Sequence, residues 1–165
     1  MMNPQELWLL RHAQASQDNH HDDFNRALTP EGVDEAHRMG QWLRQQQLFP
    51  DIILSSPAKR AISTTLLVVD ELNMAAEFVQ QAPELYFQGA KAIKTLVKSY
   101  LPSQQRILVV AHNPDLEKLL FHLCGQSLTL PTATLARFSL DLQQANLDLA
   151  TAKLLSITSP SMLPK

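Results

Sequence analysis

The chain has 165 residues, of which 45% are hydrophobic, and a formal net charge of −2 at pH 7. This length and apolar content predict one domain, residues 1–165, that buries roughly 70% of its unfolded surface. The weak net charge excludes a global basic field, so we expect neither nucleic acid nor a membrane surface as a partner. Any anion site must therefore be a local cluster of cations.

The first predicted element is a strand over residues 7–10, which is continuously apolar and so covered on both faces. Arg11 interrupts the run, which is too short for a signal peptide or for the ~20 apolar residues of a membrane span. The single cysteine, Cys124, fits a reducing compartment. Together these features predict a cytoplasmic protein.

Two helices and two further strands follow. Thr29 and Pro30 are predicted to begin the first helix, as N-cap and first helical residue. Its inner face is predicted to carry Val33, Ala36, Gly40 and Leu43. After a strand over residues 51–55, Ser56 is expected to cap a second helix with Pro57 in its first turn. Its buried stripe is predicted to be Ile62, Leu66, Val69 and Leu72. A short strand is predicted over residues 77–81.

The second half of the chain continues this alternation. A helix over residues 90–101 precedes a strand over 107–111 and a helix over 114–124 that Gly125 ends. Residues 134–140 and 149–158 are predicted strands joined by a turn, and residues 159–165 a loose tail. The order of elements predicts an α/β fold. We expect a three-layer α/β/α sandwich around a mostly parallel sheet with an antiparallel edge strand.

Three of the predicted strands lead into cationic or imidazole side chains. Arg11 and His12 follow the first strand, Arg60 begins the helix after the second, and His112 follows the strand over residues 107–111. If those strands are neighbours, their carboxyl ends bring these side chains into one pocket. Arginine binds phosphate oxygens bidentately, and neutral imidazole is a nucleophile near pH 7. The pattern predicts phosphoryl transfer to His12, with His112 bonding the transferring oxygens and no metal or cofactor required.

Simpler interpretations of the same residues exist. Either histidine alone could be a structural residue near a strand end, but the presence of both arginines in order favours a site. Residues 20–23, with the sequence His-His-Asp-Asp, could form a metal site. A solvated polar loop is the preferred interpretation, because adjacent side chains point apart.

Four segments resemble the signatures of one known family. Arg11-His12-Ala13 resembles the Arg-His-Gly signature of the histidine phosphatase superfamily, also called phosphoglycerate-mutase-like. Residues 28–32, 55–61 and 111–114 follow in that family's order. Within the superfamily the chain most resembles the small phosphohistidine phosphatase branch called SixA. Ala13 stands where the family has glycine, which suggests that its backbone does not need a positive φ.

The resemblance implies a role for each matching residue. It makes His12 the phosphorylated histidine with Arg11 as its partner. It makes Arg60 the second phosphate-binding arginine and His112 the second histidine. It also places Glu84 near the proton-donating acid of larger members. Arg26, which precedes Leu28-Thr29, is a further candidate to face the pocket.

The substrate expected from the sequence is a phosphorylated side chain of another protein. Larger relatives that enclose small metabolites insert a helical lid between the positions of Arg60 and Glu84, and no lid fits there. A phosphohistidine also leaves easily as imidazole, whose conjugate acid has a pKa of about 6.5. We therefore expect a phosphatase acting on phosphohistidine in a phosphotransfer protein. The alternatives are a phosphatase of sugar or nucleotide phosphates and, less favoured, a non-catalytic phosphate-binding module.

Overall fold

The computed structural model describes residues 4–17, 22–141 and 152–164. Its strands are β1 (Gln5–Arg11), β2 (Ile52–Ser55), β3 (Val79–Gln81), β4 (Arg106–Ala111), β5 (Leu135–Leu140) and β6 (Ala152–Thr158). Its α-helices are α1 (Pro30–Gln45), α2 (Lys59–Leu72), α3 (Ala90–Tyr100) and α4 (Asp115–Cys124). The strands form one sheet in the order β3-β2-β4-β1-β5-β6.

The sheet is parallel from β3 through β1, and β5 pairs antiparallel with both of its neighbours. The predicted α/β fold with a mostly parallel sheet is therefore confirmed, and the reversed strand lies one position in from the edge. Arg11 is paired with Ala111 and Ser55 with Val110. This register aligns the carboxyl ends of β1, β2 and β4, where the predicted site residues begin.

Both faces of the sheet are covered, because side chains along the central strands alternate between two apolar clusters. Leu7, Leu9 and Val109 pack with side chains of α3 and α4. Trp8 and Leu10 pack on the other face with side chains of α1 and α2. The three-layer arrangement follows from this alternation. None of the helices in the described ranges is long and apolar enough to cross a membrane.

The predicted inner faces of the first two helices are partly wrong. Val33 is exposed on α1, and Met39 is buried instead. On α2, Leu66 is 49% exposed, whereas Arg60 and Thr64 are buried. The physical reason is that Arg60 turns inward, and residues four apart share a helix face. The predicted cap also differs, because α2 begins at Lys59 and the Ser56 hydroxyl accepts the N–H of Ala58, the residue before the helix, at 3.2 Å.

The predicted loose tail is ordered over its described part. Residues Pro160–Met162 form a 3₁₀ turn, and Leu163 packs against the apolar cluster under α1. The Arg38 guanidinium donates hydrogen bonds to the carbonyl oxygens of Pro160 and Leu163, both at 2.9 Å. The tail is therefore held by hydrogen bonds from Arg38, a residue distant in sequence, which the composition of the tail alone does not reveal. The predicted turn before β6 lies outside the described residues.

We predict that Gly32→Ala destabilises the protein. A Cβ at Gly32 would lie 2.0 Å from the carbonyl oxygen of Gln14, which also accepts the Thr29 N–H at 3.0 Å. Because backbone must shift to make room, we expect a loss of about 1–3 kcal/mol in the free energy of unfolding. Urea denaturation measures this loss. Glu31→Ala, at an exposed neighbouring position, is the control, and equal effects of the two changes would contradict the prediction.

Candidate active site

His12 follows β1 and presents an unprotonated ring nitrogen to the site. Its Nδ1 lies 2.7 Å from the carbonyl oxygen of Ala13. Since a carbonyl oxygen only accepts, Nδ1 carries the proton and Nε2 keeps its lone pair. The Ala13 N–H donates to Thr64 Oγ1 at 2.9 Å, which fixes the backbone. Ala13 has no positive φ, as the sequence predicted.

Arg60 reaches this ring from the first turn of α2. The side chain is almost completely buried, and its Nε lies 3.3 Å from His12 Nε2. Its Nη1 donates to the carbonyl oxygen of Asp23 at 2.7 Å, and its Nη2 to Asp23 Oδ2 at 3.0 Å. A guanidinium carries N–H donors beyond these three. Arg60 is therefore fixed in place and still able to bind an anion.

His112 follows β4 and lies beside His12, with 5.0 Å between the ring centroids. Its Nε2 is 2.8 Å from Ser56 Oγ. Its Nδ1 is buried and has no hydrogen-bond partner within the described residues. The same is true of Arg11 Nε and Asn113 Oδ1. Buried polar atoms are nearly always paired, so these atoms at two adjacent strand ends are available to bind a polar ligand.

Arg11 is the last residue of β1 and precedes His12 directly. Its Nη1 donates to the carbonyl oxygen of Leu130 at 3.2 Å, and Asn113 Nδ2 donates to the same oxygen at 2.9 Å. Burial lowers the pKa of Arg11, while the nearby charges of Glu117 and Glu35 raise it. Arginine remains protonated in either case. Arg11 thus shares an acceptor with the residue after His112, and its charge lowers the pKa of both His12 and His112, so the four residues singled out by sequence lie close together.

Both imidazoles are neutral in the site as it stands. Burial, and to a smaller extent the charges of Arg60 and Arg11, lowers the pKa of His12 to about 4. Burial, then the neighbouring His12 and Arg60, lowers the pKa of His112 to about 3. His12 is therefore a free base at neutral pH. A proton on His112 would have to arrive with a bound anion.

These low pKa values make a measurable prediction. The ring C–H resonance of His12 should not titrate between pH 5 and 8, because the neutral form persists down to a pKa of about 4. An NMR titration, with the resonance assigned by its loss in His12→Ala, measures this. Histidine in a short peptide, which titrates near pH 6.5, is the reference. A midpoint near 6.5 for His12 would contradict the burial argument.

Asp23 is a site residue that the sequence interpretation missed. It begins the 3₁₀ turn Asp23–Asn25, and its Oδ2 accepts hydrogen bonds from Arg60 and, at 2.6 Å, from the Tyr86 hydroxyl. Burial raises the pKa of Asp23, but the bonds from Tyr86 and Arg60 outweigh it and hold the pKa at about 2. The Asp23 side chain is 47% exposed, so the interpretation as a solvated loop holds for Asp23, but it missed the ion pair of Asp23 with Arg60. Residues 20 and 21 lie outside the described residues.

Of the two further residues predicted from the sequence, Arg26 lies next to the site and Glu84 does not contact it. Arg26 Nε donates to Asp23 Oδ1 at 3.2 Å, and its charge contributes to lowering the pKa of His12. Glu84 is exposed in the 3₁₀ turn Pro83–Leu85 and makes no hydrogen bond or ion pair with any described residue. The same segment approaches the site through Tyr86 and Phe87, the two residues that follow the turn. The structure therefore offers no contact through which Glu84 would act as the acid.

The fold and the site together define a class. Two imidazoles and two guanidinium groups meet at the carboxyl edge of a parallel sheet, where α/β proteins bind ligands, and this combination suits a phosphoryl group. The sequence profile of the histidine phosphatase superfamily (branch 1) matches residues 7–89. The chain belongs to this superfamily.

Relatives agree with that assignment. Phosphohistidine phosphatase SixA of Escherichia coli strain K12 is 32% identical over 143 residues, which cover 82% of this chain and 86% of that protein. The structure of a protein histidine phosphatase SixA complexed with tungstate superimposes with a TM-score of 0.84 at 27% identity, covering 95% and 98% of the two chains. A mycobacterial glucosyl-3-phosphoglycerate phosphatase, at 15% identity and a TM-score of 0.74 over 93% and 98%, shares the fold.

Proposed function

We propose that this protein is a phosphatase that removes the phosphoryl group from phosphohistidine in another protein, through a covalent phosphohistidine on His12. The observation that carries the proposal is the state of His12 Nε2. It is unprotonated and lies 3.3 Å from the Arg60 Nε, in a site where two further cationic or imidazole groups converge. The similarity to proteins named phosphohistidine phosphatase supports the same conclusion.

The reaction proceeds in two displacements at phosphorus. The substrate ring first takes a proton from solvent on its free nitrogen; His12 Nε2 then attacks phosphorus, the P–N bond of the substrate breaks, and its imidazole leaves as a neutral ring. Water next attacks the phosphorylated His12, the bond between phosphorus and Nε2 breaks, the water proton returns to solvent, and inorganic phosphate is released. Arg60 and Arg11 bind the phosphoryl oxygens in both steps, which neutralises the charge that builds on them.

His112 supplies the remaining contact to the phosphoryl group. Its buried, unpaired Nδ1 is available to a phosphoryl oxygen, and its Nε2 is held by Ser56 at 2.8 Å. Since the pKa of His112 is about 3 without an anion, the ring gains its proton only when phosphate charge is bound beside it. The site therefore couples the charge of His112 to substrate binding.

The choice of phosphohistidine as substrate depends on how easily its leaving group departs. An alcohol needs a proton from a general acid to leave, whereas a protonated phosphohistidine leaves as imidazole. Glu84, the candidate acid, is exposed, and Asp23 is ionised because its pKa is about 2. Asp23 is therefore not suited to donate a proton at neutral pH, and Glu84 contacts no described residue of the site. A P–N bond fits this site better than a P–O bond.

The surroundings of the site suit a protein substrate. Between α2 and α3 the chain forms only two 3₁₀ turns and the short β3, with no α-helical lid. The proposal therefore includes a phosphorylated protein as partner. It also places the protein in the cytoplasm, where Cys124, a free thiol in this structure, would stay reduced.

The proposed substrate is tested by comparing kcat/KM on two classes of phosphate. One is a phosphotransfer domain phosphorylated on histidine, and the other is a set of sugar and nucleotide phosphates. We expect the phosphohistidine domain to be preferred by about a hundredfold or more, which corresponds to about 2.7 kcal/mol. His12→Ala is the control for contaminating phosphatases. Equal or faster turnover of the small phosphates would instead show a small-molecule phosphatase.

A further inference from the structure

Phe87 is an aromatic residue with no role in the steps above and an unusual conformation. Its backbone φ is 57°, in the left-handed region that bulky residues rarely adopt. Its side chain is nevertheless 47% exposed, so burial of the ring does not explain the conformation. Strained backbone that is held in place often serves a functional site.

The neighbours of Phe87 hold it in this conformation from both sides. Before it, the Tyr86 hydroxyl donates to Asp23 Oδ2 at 2.6 Å. After it, the Gln88 side chain donates to the carbonyl oxygen of Pro83 at 3.2 Å. The Gly89 N–H then donates to Asp115 Oδ2 at 3.0 Å, at the start of α4. The backbone of Phe87 is therefore held by hydrogen bonds of the residues on either side of it.

The ring lies against two groups of the proposed phosphoryl site. Its centroid is 4.8 Å from that of His112, with 30° between the ring planes, so the two rings are in tilted contact. The Arg60 Cζ lies 5.9 Å from the Phe87 centroid, within reach of a cation–π contact. The partly exposed ring of Phe87 thus lies beside both His112 and Arg60.

The direction in which the leaving group must extend follows from burial. His12 and His112 are both buried, so whatever carries the phosphoryl group approaches from the exposed rim. Three aromatic side chains form a connected part of that rim. Phe24 contacts Tyr86 edge-on at 5.3 Å, and Tyr86 lies 4.8 Å from Phe87.

We propose that Phe87 is a specificity-determining residue whose ring stacks on a planar heteroaromatic leaving group. This inference rests on the proposed function and narrows it, because the imidazole of a phosphohistidine is such a ring. An aliphatic leaving group has no face to stack and gains nothing from Phe87. Preference for the imidazole substrate would then come from the leaving group as well as from the P–N bond.

The test uses two small substrates that share the P–N bond and differ in the ring. Phosphoimidazole carries the ring, and phosphoramidate does not. Phe87→Ala should lower kcat/KM on phosphoimidazole about three- to tenfold more than on phosphoramidate, the range expected for one aromatic contact. Phe87→Tyr should retain the wild-type ratio of kcat/KM on phosphoimidazole to kcat/KM on phosphoramidate. Phe87→Leu, which keeps apolar bulk without a ring, should behave as Phe87→Ala and guards against misfolding of that variant.

Phe78→Ala is the matched control, since Phe78 is 44% exposed and lies in a different cleft with Phe49 and Met74. This variant should leave kcat/KM unchanged on both substrates. An unchanged ratio in both Phe87→Ala and Phe87→Leu would overturn the stacking role and leave the proposed function standing. If the wild-type protein turned over neither P–N compound and no phosphorylated histidine domain, the proposed function and this inference would fall together.

Discussion

His12→Ala should abolish formation of the phosphorylated protein and lower turnover by about 10³-fold or more. The loss is this large because the substitution removes the atom that attacks phosphorus, and effects of this size follow loss of a nucleophile. We do not expect His112 to take over, because its Nε2 lies 2.8 Å from Ser56 Oγ, its Nδ1 is assigned to a phosphoryl oxygen, and its ring centroid lies 5.0 Å from that of His12.

The measurement is a quench in alkali after mixing with a labelled phosphoryl donor, since phosphohistidine survives alkali. The wild-type protein should carry label and His12→Ala should not. His37→Ala is the control, because His37 lies on α1 and is bonded to Glu71 at 2.9 Å. Label retained by His12→Ala would contradict the assigned nucleophile. Turnover without any label would point to direct attack by water.

Arg60→Lys should lower kcat/KM by about 10²- to 10³-fold although the charge is kept. Lysine has a single ammonium group, whereas the Arg60 guanidinium contacts His12 Nε2 and Asp23 at once and has donors left for phosphate. Losing one preorganised donor to developing charge typically costs this much. A large part of the loss should appear in kcat, because the phosphoryl charge is redistributed in the transition state.

Steady-state kinetics on a phosphorylated histidine domain measure the effect. Arg44→Lys is a matched control, since Arg44 also contacts a helix-borne acid, Glu71, but lies away from the site. It should be indistinguishable from wild type. Activity of Arg60→Lys within a fewfold of wild type would mean that charge alone suffices and that the paired donors of Arg60 are unimportant.

The strands could be predicted because their pattern leaves few alternatives. β1 and β4 each contain a short run of consecutive apolar residues, and such a run is typical of a strand that is covered on both faces. The face of α2 could not be predicted from its leucines. It is set by Arg60, whose burial is favourable only because Asp23 and His12 accept its hydrogen bonds, and those partners are distant in sequence.

The site itself was predictable in part for the same reason. Arg11, His12 and His112 follow strand ends, so the sheet alone brings them together. The contributions of Asp23 and Phe87 depend on how irregular segments turn, and composition does not show which polar or aromatic residue of a loop faces inward. The spacing of Asp23 and Arg26, three residues apart at the 3₁₀ turn Asp23–Asn25, is a local signal that could have indicated their ion pair.

A crystal structure with vanadate tests most directly whether four side chains form one phosphoryl site. The account predicts vanadium bound in line with His12 Nε2, with its equatorial oxygens contacted by Arg11, Arg60 and His112. Vanadate bound elsewhere on the protein, or centred on His112 with His12 unengaged, would contradict it.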